Sequence, residues 1–177
     1  IARNYGAKNE DQLRKSVAAT AIIGCILSLF VIFIGAVGLY PLLQFLGTPS
    51  AIVSQSYLYI ATIVNGVAVT FAYNLCAGLL RAVGDSLAAL YFLIIAAILN
   101  ILLDLYFITQ LHLGVQSAGI ATIIAQGISA LLCLLYIRKK VPFLLPHRKD
   151  FVWDKELYQD LLSQGLAMGL MTSIVSI

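Results

Sequence analysis

The feature that most constrains this chain is the length of its uncharged segments. No Asp, Glu, Lys or Arg occurs in the 65 residues from Ser16 to Leu80, the 18 from Ser86 to Leu103 or the 33 from Leu105 to Ile137. Only 11% of the 177 residues are charged and 61% are hydrophobic, whereas soluble domains carry about 25% charged residues. These runs exclude a water-soluble globule and predict helices that cross a membrane.

Helix-breaking residues divide the runs into individual spans. A hydrocarbon core of about 30 Å needs roughly 20 helical residues. Pro41 and the turn at 47–50 separate the first two spans, and Gly84 allows a tight reversal before a third span that Asp85 or Ser86 can cap. We therefore predict an all-α polytopic bundle with four full spans and the start of a fifth near Asp160. The full spans cover approximately residues 17–40, 51–80, 86–109 and 115–137.

The basic residues all fall on one side of the membrane if the chain crosses it four times. Cytoplasmic loops are enriched in Lys and Arg, and the opposite loops, about 41–50 and 110–114, contain neither. We predict an integral protein of the plasma (inner) membrane with its basic loops in the cytoplasm. A formal net charge of +3, with no basic patch interleaved with aromatics, predicts no nucleic-acid partner. The cytoplasmic set comprises Arg3, Lys8, Arg14, Lys15, Arg81, Arg138, Lys139, Lys140, Arg148, Lys149 and Lys155.

The segment 138–156 differs in kind from the spans. It is basic, Pro142 and Pro146 interrupt any continuous helix, and Phe151 and Trp153 lie among its charges. One interpretation is a positively charged linker whose aromatic residues anchor it at the membrane interface. The other is a hinge between two helical bundles. The two interpretations are compatible.

Asp104 is the only charged residue inside a full predicted span, and charge within a membrane is costly enough to suggest a function. Asn100 lies four residues earlier, so both side chains project from one face of the helix. At 1.5 Å per residue, Asp104 lies about 27 Å from Ser86, in the outer half of the bilayer. The alternative is a helix-end carboxylate that reaches the headgroups. The unfavourable helix dipole at that end and the neighbouring amide both weigh against it.

A carboxylate in low dielectric is stabilised by a proton or by a cation bound with neutral oxygens. Carboxylate, amide and hydroxyl oxygens suit Na⁺ or H⁺ and lack the soft ligands that transition metals prefer. Candidate donors on the neighbouring spans are Asn74 and Thr122, with Gln126 one turn beyond Thr122. Such residues also bond their own backbone or join helices, which is the alternative. The residues thus make Asp104 and Asn100 a candidate Na⁺ or H⁺ site, with Thr122 and Asn74 as candidate further donors, and we predict no cofactor and no metal other than Na⁺ at that site.

Several short motifs occur in a fixed order along the chain. The most specific are Leu-Arg-Ala-Val-Gly-Asp-Ser at 80–86 and the Asn-x-x-x-Asp pair at 100–104. Weaker ones are Tyr-Gly-Ala at 5–7, Gly-Val at 114–115, and Ile-Ala-Thr at 120–122 followed by Gln126. Together they resemble the multidrug and toxic compound extrusion (MATE) family of secondary transporters. The likeness covers nearly the whole chain.

The resemblance implies a parent protein with twelve helices in two six-helix lobes. Residues 1–137 would then be the N-terminal-lobe bundle, from the end of helix 2 to helix 6. Residues 138–156 would be the cytoplasmic inter-lobe linker and residues 157–177 the start of helix 7. The family's N-lobe cation site maps onto Asp104, Asn100 and Thr122, with Asn74 as a further match on the fourth helix. An acidic residue expected on the first helix is not in this sequence.

The resemblance also implies a function and partners. The parent would be a Na⁺- or H⁺-coupled antiporter that exports amphipathic, often cationic drugs by alternating access. Its partners would be a small-molecule drug, the lipid bilayer and the rest of the same chain, namely the first helices and the C-terminal lobe. The aromatic residues that could line a drug path, or simply pack or face lipid, are Tyr40, Tyr57, Phe71 and Tyr73.

Three other functions compete with antiport. A flippase for lipid-linked oligosaccharides of the same superfamily shares the lobed architecture, but it would place basic residues within its spans to meet a pyrophosphate, and none is present here. A non-transporting membrane subunit would use Asn100 and Asp104 only for helix assembly. We predict no enzyme, because no Ser or Cys is paired with a His, and His112 and His147 both lie in predicted loops.

Overall fold

The computed structural model describes residues 1–111, 116–152 and 154–175 of an all-α bundle. Three of its helices are long and apolar enough to cross a membrane, and a bent helix pair passes the same test of length and composition when its two halves are taken as one span. The predicted transmembrane bundle is therefore confirmed. His112, Gly114, Val115 and Trp153 lie outside the described residues. The helices are α1 (Ala2–Gly6), α2 (Glu10–Phe45), α3 (Ser50–Asn65), α4 (Val67–Ala82), α5 (Ser86–Thr109), α6 (Gln116–Lys140) and α7 (Lys155–Val175), with 3₁₀ helices at Pro142–Leu144 and Arg148–Asp150.

Helix α2 extends beyond the limits predicted for the first span. It begins at Glu10, where the Asn9 side chain accepts a hydrogen bond from the backbone N–H of Gln12 at 3.1 Å. It also continues through Pro41 to Phe45, so the predicted end at Pro41 is wrong. A proline removes one backbone donor. Because Pro41 lies in the last turns of the helix, the interruption affects only that end, and membrane helices tolerate such a loss.

The second predicted span is not one continuous helix. Helices α3 and α4 meet at Gly66 with a bend of 43°. The backbone of Gly66 is near helical, with φ −79° and ψ −5°, so its torsion angles do not require glycine. The backbone nevertheless lies close to α6, because a Cβ atom built on Gly66 would overlap Cγ1 and Cδ1 of the Ile123 side chain. The break is thus a point where the backbone approaches another helix.

The buried apolar core lies at one end of the bundle. It joins the start of α2, the end of α4, the start of α5 and the end of α6, all flanked by the basic residues of the chain. We call this the basic end. Burial of these side chains draws the four helix ends together. Its members are Leu13, Val17, Cys76, Leu79, Leu80, Ala88, Ala89, Cys133, Ile137 and Leu144.

The turn between α4 and α5 closes the basic end as its sequence predicts. Gly84 has φ +88°, a left-handed conformation that favours glycine. Asp85 caps α5 by accepting a hydrogen bond from the N–H of Ala88 at 3.1 Å. Its other carboxylate oxygen accepts a hydrogen bond from the Tyr136 hydroxyl at 2.8 Å. One residue therefore caps α5 and ties the turn to α6.

The segment that follows α6 is packed against α2. Leu144 is fully buried in the core, and the rings of Phe143 and Tyr5 stack with centroids 6.0 Å apart. The side chain of Asp150 is only 1% exposed and lies 3.8 Å from Nε of Arg14 on α2. It also accepts a hydrogen bond from the backbone N–H of His147 at 2.7 Å. A buried ion pair thus joins this segment to α2.

Candidate cation site

The predicted site is built on the close pairing of α5 and α6. Small residues are buried along both helices, and such residues let the backbones of membrane helices approach closely. The buried small residues are Ala88, Ala89 and Ala96 on α5, and Ser117, Gly119, Ala121, Ala125, Ser129 and Ala130 on α6. Close backbones allow short polar side chains to meet across the interface.

Asn100 and Thr122 meet in this way. The side-chain amide of Asn100 donates a hydrogen bond to the Thr122 hydroxyl at 3.0 Å, and that hydroxyl donates to the backbone carbonyl of Ala118 at 2.8 Å. Because the Asn100 bond uses the amide N–H group, its carbonyl oxygen is not consumed by this contact. Two of the predicted site residues, 22 positions apart, are therefore in direct contact.

Asp104 lies one helical turn beyond Asn100 on the same face of α5. Its Oδ1 atom is buried and accepts no hydrogen bond from the described part of the chain. A buried carboxylate oxygen without a donor is costly, and a proton or a cation relieves that cost. The site therefore pairs an unsatisfied anionic oxygen with nearby neutral oxygens.

Within the described part of the chain, no hydrogen bond joins Asn74 to these three residues. Its side-chain amide donates to the backbone carbonyl of Thr70 on its own helix at 2.9 Å. Asn74 also lines a cavity of about 310 Å³ between α4 and α5 that reaches Leu93. Leu93 precedes Asn100 by seven residues, which is about 10 Å along the helix axis. Asn74 thus lines a part of the α5 face nearer the basic end.

Gln126 is used differently from its predicted place beside the site. It accepts a hydrogen bond from the Thr70 hydroxyl on α4 at 2.6 Å. Gln116, the first residue of α6, makes a corresponding contact by donating to the Thr62 hydroxyl on α3 at 3.2 Å. No sequence pattern predicts either pairing, because the partners are more than 50 residues apart. These polar contacts join α6 to both halves of the broken span.

The oxygen set favours a hard cation. Among the described residues, no group of three or more His, Cys, Asp or Glu side chains could hold a metal ion. One carboxylate, one amide carbonyl and one hydroxyl are the kinds of ligand that Na⁺ accepts, and the carboxylate alone suits H⁺. The chemistry of the donors therefore fits the predicted coupling ions.

The aromatic residues considered for a drug path occupy three separate places. Tyr40 and Tyr57 lie edge to face with centroids 6.2 Å apart, in a cavity of about 640 Å³ at the end of α2 and the start of α3. Tyr73 lines the cavity between α4 and α5. Phe71 packs over Gly24 of α2, where a Cβ would overlap its ring. Of these four aromatic residues, Tyr40 and Tyr57 are the two whose rings contact each other.

Comparison with known protein families identifies the architecture. The MatE family model matches residues 1–106, which include Asn100 and Asp104. The chain belongs to the MatE family. This confirms the predicted resemblance, and membership in a transporter family confirms the prediction that the chain is not an enzyme. The MatE chain is accordingly part of an integral membrane protein.

Several known proteins are similar to this MatE chain in sequence. The probable multidrug resistance proteins YpnP and YoeA of Bacillus subtilis are each 29% identical to it, over 96% and 100% of the chain. DNA damage-inducible protein F of Escherichia coli is 27% identical over 78% of the chain. The chain spans only 38% and 40% of the length of the two Bacillus proteins.

Solved structures are similar to the MatE chain in fold. An outward-facing multidrug resistance MATE family transporter of the MOP superfamily superposes with a TM-score of 0.86 at 25% identity, covering 94% of this chain and 37% of that one. A MATE structure in complex with Br-NRF superposes with a TM-score of 0.74 at 24% identity, covering 98% of this chain and 43% of that one. The bundle therefore corresponds to about two fifths of a MATE transporter.

Proposed function

We propose that the full-length MatE protein is a cation-coupled antiporter that exports amphipathic, often cationic drugs by alternating access. Its coupling ion, Na⁺ or H⁺, would bind at Asp104 with Asn100 and Thr122. The observation that supports this most strongly is the buried Oδ1 atom of Asp104, which lacks a donor one turn from the Asn100–Thr122 hydrogen bond. The names of the similar proteins, which include probable multidrug resistance proteins, support the drug class.

The coupling follows from the charge of Asp104. While that carboxylate is empty and ionised, closing a low-dielectric lobe around it is unfavourable. A bound cation or proton neutralises it and removes that penalty, so occupancy shifts the population towards the closed lobe. The Asn100 carbonyl and the Thr122 hydroxyl supply neutral oxygens that replace part of the hydration shell of Na⁺. Drug release and return to the inward-facing state would accompany this step.

The same proposal assigns the segments of the chain. Residues 1–137 form the transmembrane part of the first lobe, residues 138–156 the cytoplasmic linker between lobes, and residues 157–177 the start of the first helix of the second lobe. The basic end would face the cytoplasm, in a plasma (inner) membrane. The gathering of the basic helix ends around one apolar core supports a common side for them.

The test is efflux of a fluorescent cationic dye from vesicles that contain the full-length parent. Imposed Na⁺ and pH gradients are applied separately, to wild type and to Asp104→Asn. Asp11→Asn is the matched control, because it makes the same chemical change in an exposed carboxylate at the start of α2 that pairs with Lys15 at 2.8 Å. The amount of each variant in the vesicles is measured alongside.

We expect wild type and Asp11→Asn to move dye with one of the two gradients, and Asp104→Asn, present at normal level, to fail. Transport by Asp104→Asn at the wild-type rate would remove Asp104 from the coupling step. If wild type ignores both gradients, the flippase becomes the leading alternative. If Asp104→Asn is lost from the membrane instead, the residue serves helix assembly, as in a non-transporting subunit.

A further inference from the structure

The break in the α3–α4 span lies directly on the part of α6 that carries Thr122. Gly66, at the break, is buried against Ile123, the residue that follows Thr122. The approach is so close that a Cβ on Gly66 would occupy the same space as Cγ1 and Cδ1 of Ile123. The backbone at the break therefore lies against the side chain of the residue next to Thr122.

Polar contacts fasten both halves of the bent span to α6. On the α3 side, Thr62 accepts a hydrogen bond from Gln116, and a Cβ on Gly119 would lie 3.2 Å from Cγ2 of Thr62. On the α4 side, Thr70 donates to Gln126 at 2.6 Å. The segment of α6 from 116 to 126 is thus held at both ends, with Ile123 and Thr122 between them.

This arrangement makes the position of Thr122 depend on the bent span. Packed interiors respond to a displaced contact by moving to another arrangement rather than by compressing. We propose that Gly66 is a positioning residue of the cation site, because its contact with Ile123 sets the placement of Thr122 against Asn100. The functional part of this proposal rests on the antiport proposed above. Among residues 1–111, 116–152 and 154–175, no hydrogen bond links Gly66 to any of the three site residues.

The chain offers a matched control for this proposal. Gly78 lies in α4 of the same span, and a Cβ built on it would meet no atom within 4 Å. Gly66→Ala and Gly78→Ala therefore make the same chemical change in the same bent span. Only the first adds volume against Ile123. A second change, Ile123→Ala, removes the atoms that the new Cβ would meet, so the double variant Gly66→Ala/Ile123→Ala restores the space.

The first measurement is a distance between α5 and α6 in the full-length parent, reconstituted in lipid. Nitroxide amino acids are placed at Ile98 and Ile124, which are 52% and 37% exposed and lie two residues from Asn100 and Thr122 respectively. We expect Gly66→Ala to shift the distance distribution, Gly78→Ala to leave it at the wild-type position, and the double variant to return it. An unchanged distribution in Gly66→Ala, or a double variant that stays shifted, overturns the proposal.

The second measurement is the cation concentration that gives half-maximal dye efflux. We expect Gly66→Ala to raise it at least about fivefold, the lower range of site-to-site coupling, with the double variant nearer wild type. A shifted distance with an unchanged cation requirement overturns the positioning role.

If wild type responds to no cation gradient, the antiport proposal fails while the distance measurement still decides the structural link. If Gly66→Ala does not insert, Ile123→Ala alone must alter the distance distribution.

Discussion

The side-chain amide of Asn100 on α5 donates a hydrogen bond to the Thr122 hydroxyl on α6 at 3.0 Å. Because this bond uses the amide N–H group of Asn100, the amide carbonyl oxygen of Asn100 remains available beside Asp104. Removing the hydroxyl with Thr122→Val deprives the amide of its acceptor and frees it to turn. We expect the cation concentration for half-maximal efflux to rise about tenfold, as for a loss of about 1.4 kcal/mol.

Two further variants separate chemistry from packing at this position. Thr122→Ser keeps the hydroxyl and should retain a near-normal cation requirement. Thr109→Val makes the same change as Thr122→Val in an exposed α5 residue whose hydroxyl donates to the Leu105 carbonyl of its own helix at 2.7 Å. It should behave as wild type. Equal effects of Thr122→Val and Thr109→Val would contradict a ligand role for Thr122.

If the coupling ion binds at the unsatisfied Oδ1 atom of Asp104, protein stability should depend on that ion. A ligand that binds only the folded state stabilises it by about 2.7 kcal/mol at 100 times its Kd. If Na⁺ is the coupling ion, wild-type parent purified in detergent should therefore unfold at a higher temperature in saturating Na⁺ than in choline buffer at the same pH. Asp104→Asn should lose this response, whereas Asp11→Asn should keep it. A response retained by Asp104→Asn would place the binding elsewhere.

Asn74 provides a test of the limits of the site. Its amide bonds the Thr70 carbonyl of its own helix, and its side chain is exposed in the cavity between α4 and α5. In the described part of the chain, no hydrogen bond joins Asn74 to Asn100 or Thr122. We therefore expect Asn74→Ala to change the cation concentration for half-maximal efflux less than about twofold, which is below about 0.5 kcal/mol. A loss of coupling as complete as that of Asp104→Asn would show that Asn74 joins the site in another conformation.

The sequence predicts local features of this fold well. Gly84 and Asp85 specify the α4–α5 turn by their own torsion angles and capping bond, so their roles are visible in the residues themselves. The i, i+4 spacing likewise predicts that Asn100 and Asp104 share a face. The contact of Asn100 with Thr122 is within reach of the sequence only through the family resemblance, because it depends on how two helices pack.

The missed features all depend on distant partners. Gly66 lies in an apolar run where a single glycine is tolerated, and its bend reflects a contact with Ile123, 57 residues away. Gln126 shares a helix face with Thr122, yet it turns to Thr70. In the sequence, Asp150 is one acidic residue within a basic linker, and its burial beside Arg14 is visible only in the fold. Sequence periodicity records the face of a helix but not the identity of its neighbour.

Asp85 joins the start of α5 to the end of α6, which makes it a target for a stability test. Asp85→Ala should lower the free energy of unfolding by about 1–2 kcal/mol, because it removes a helix cap and the acceptor of Tyr136. Tyr136→Phe removes only the second contact and should cost about 1 kcal/mol. Unfolding in mixed detergent would measure both, with Ser86→Ala, an exposed neighbour, as the control. The double variant should cost less than the sum of the two; strict additivity would mean that the bond contributes nothing.

The Arg14–Asp150 pair should hold the segment after α6 on the bundle. Asp150 is almost fully buried, so removing its cation leaves an uncompensated charge, and breaking such a pair costs about 3–5 kcal/mol. We expect Arg14→Gln to destabilise the parent by an amount of this order, and to speed tryptic cleavage at the basic residues of 138–149.

Glu10→Gln is the matched control, because Glu10 is 63% exposed and lies 4.0 Å from the same arginine. Exposed pairs contribute less than about 1 kcal/mol, so cleavage of this variant should match wild type. Equal cleavage of Arg14→Gln and wild type would mean that Leu144 and the Tyr5–Phe143 stack hold the segment without the ion pair.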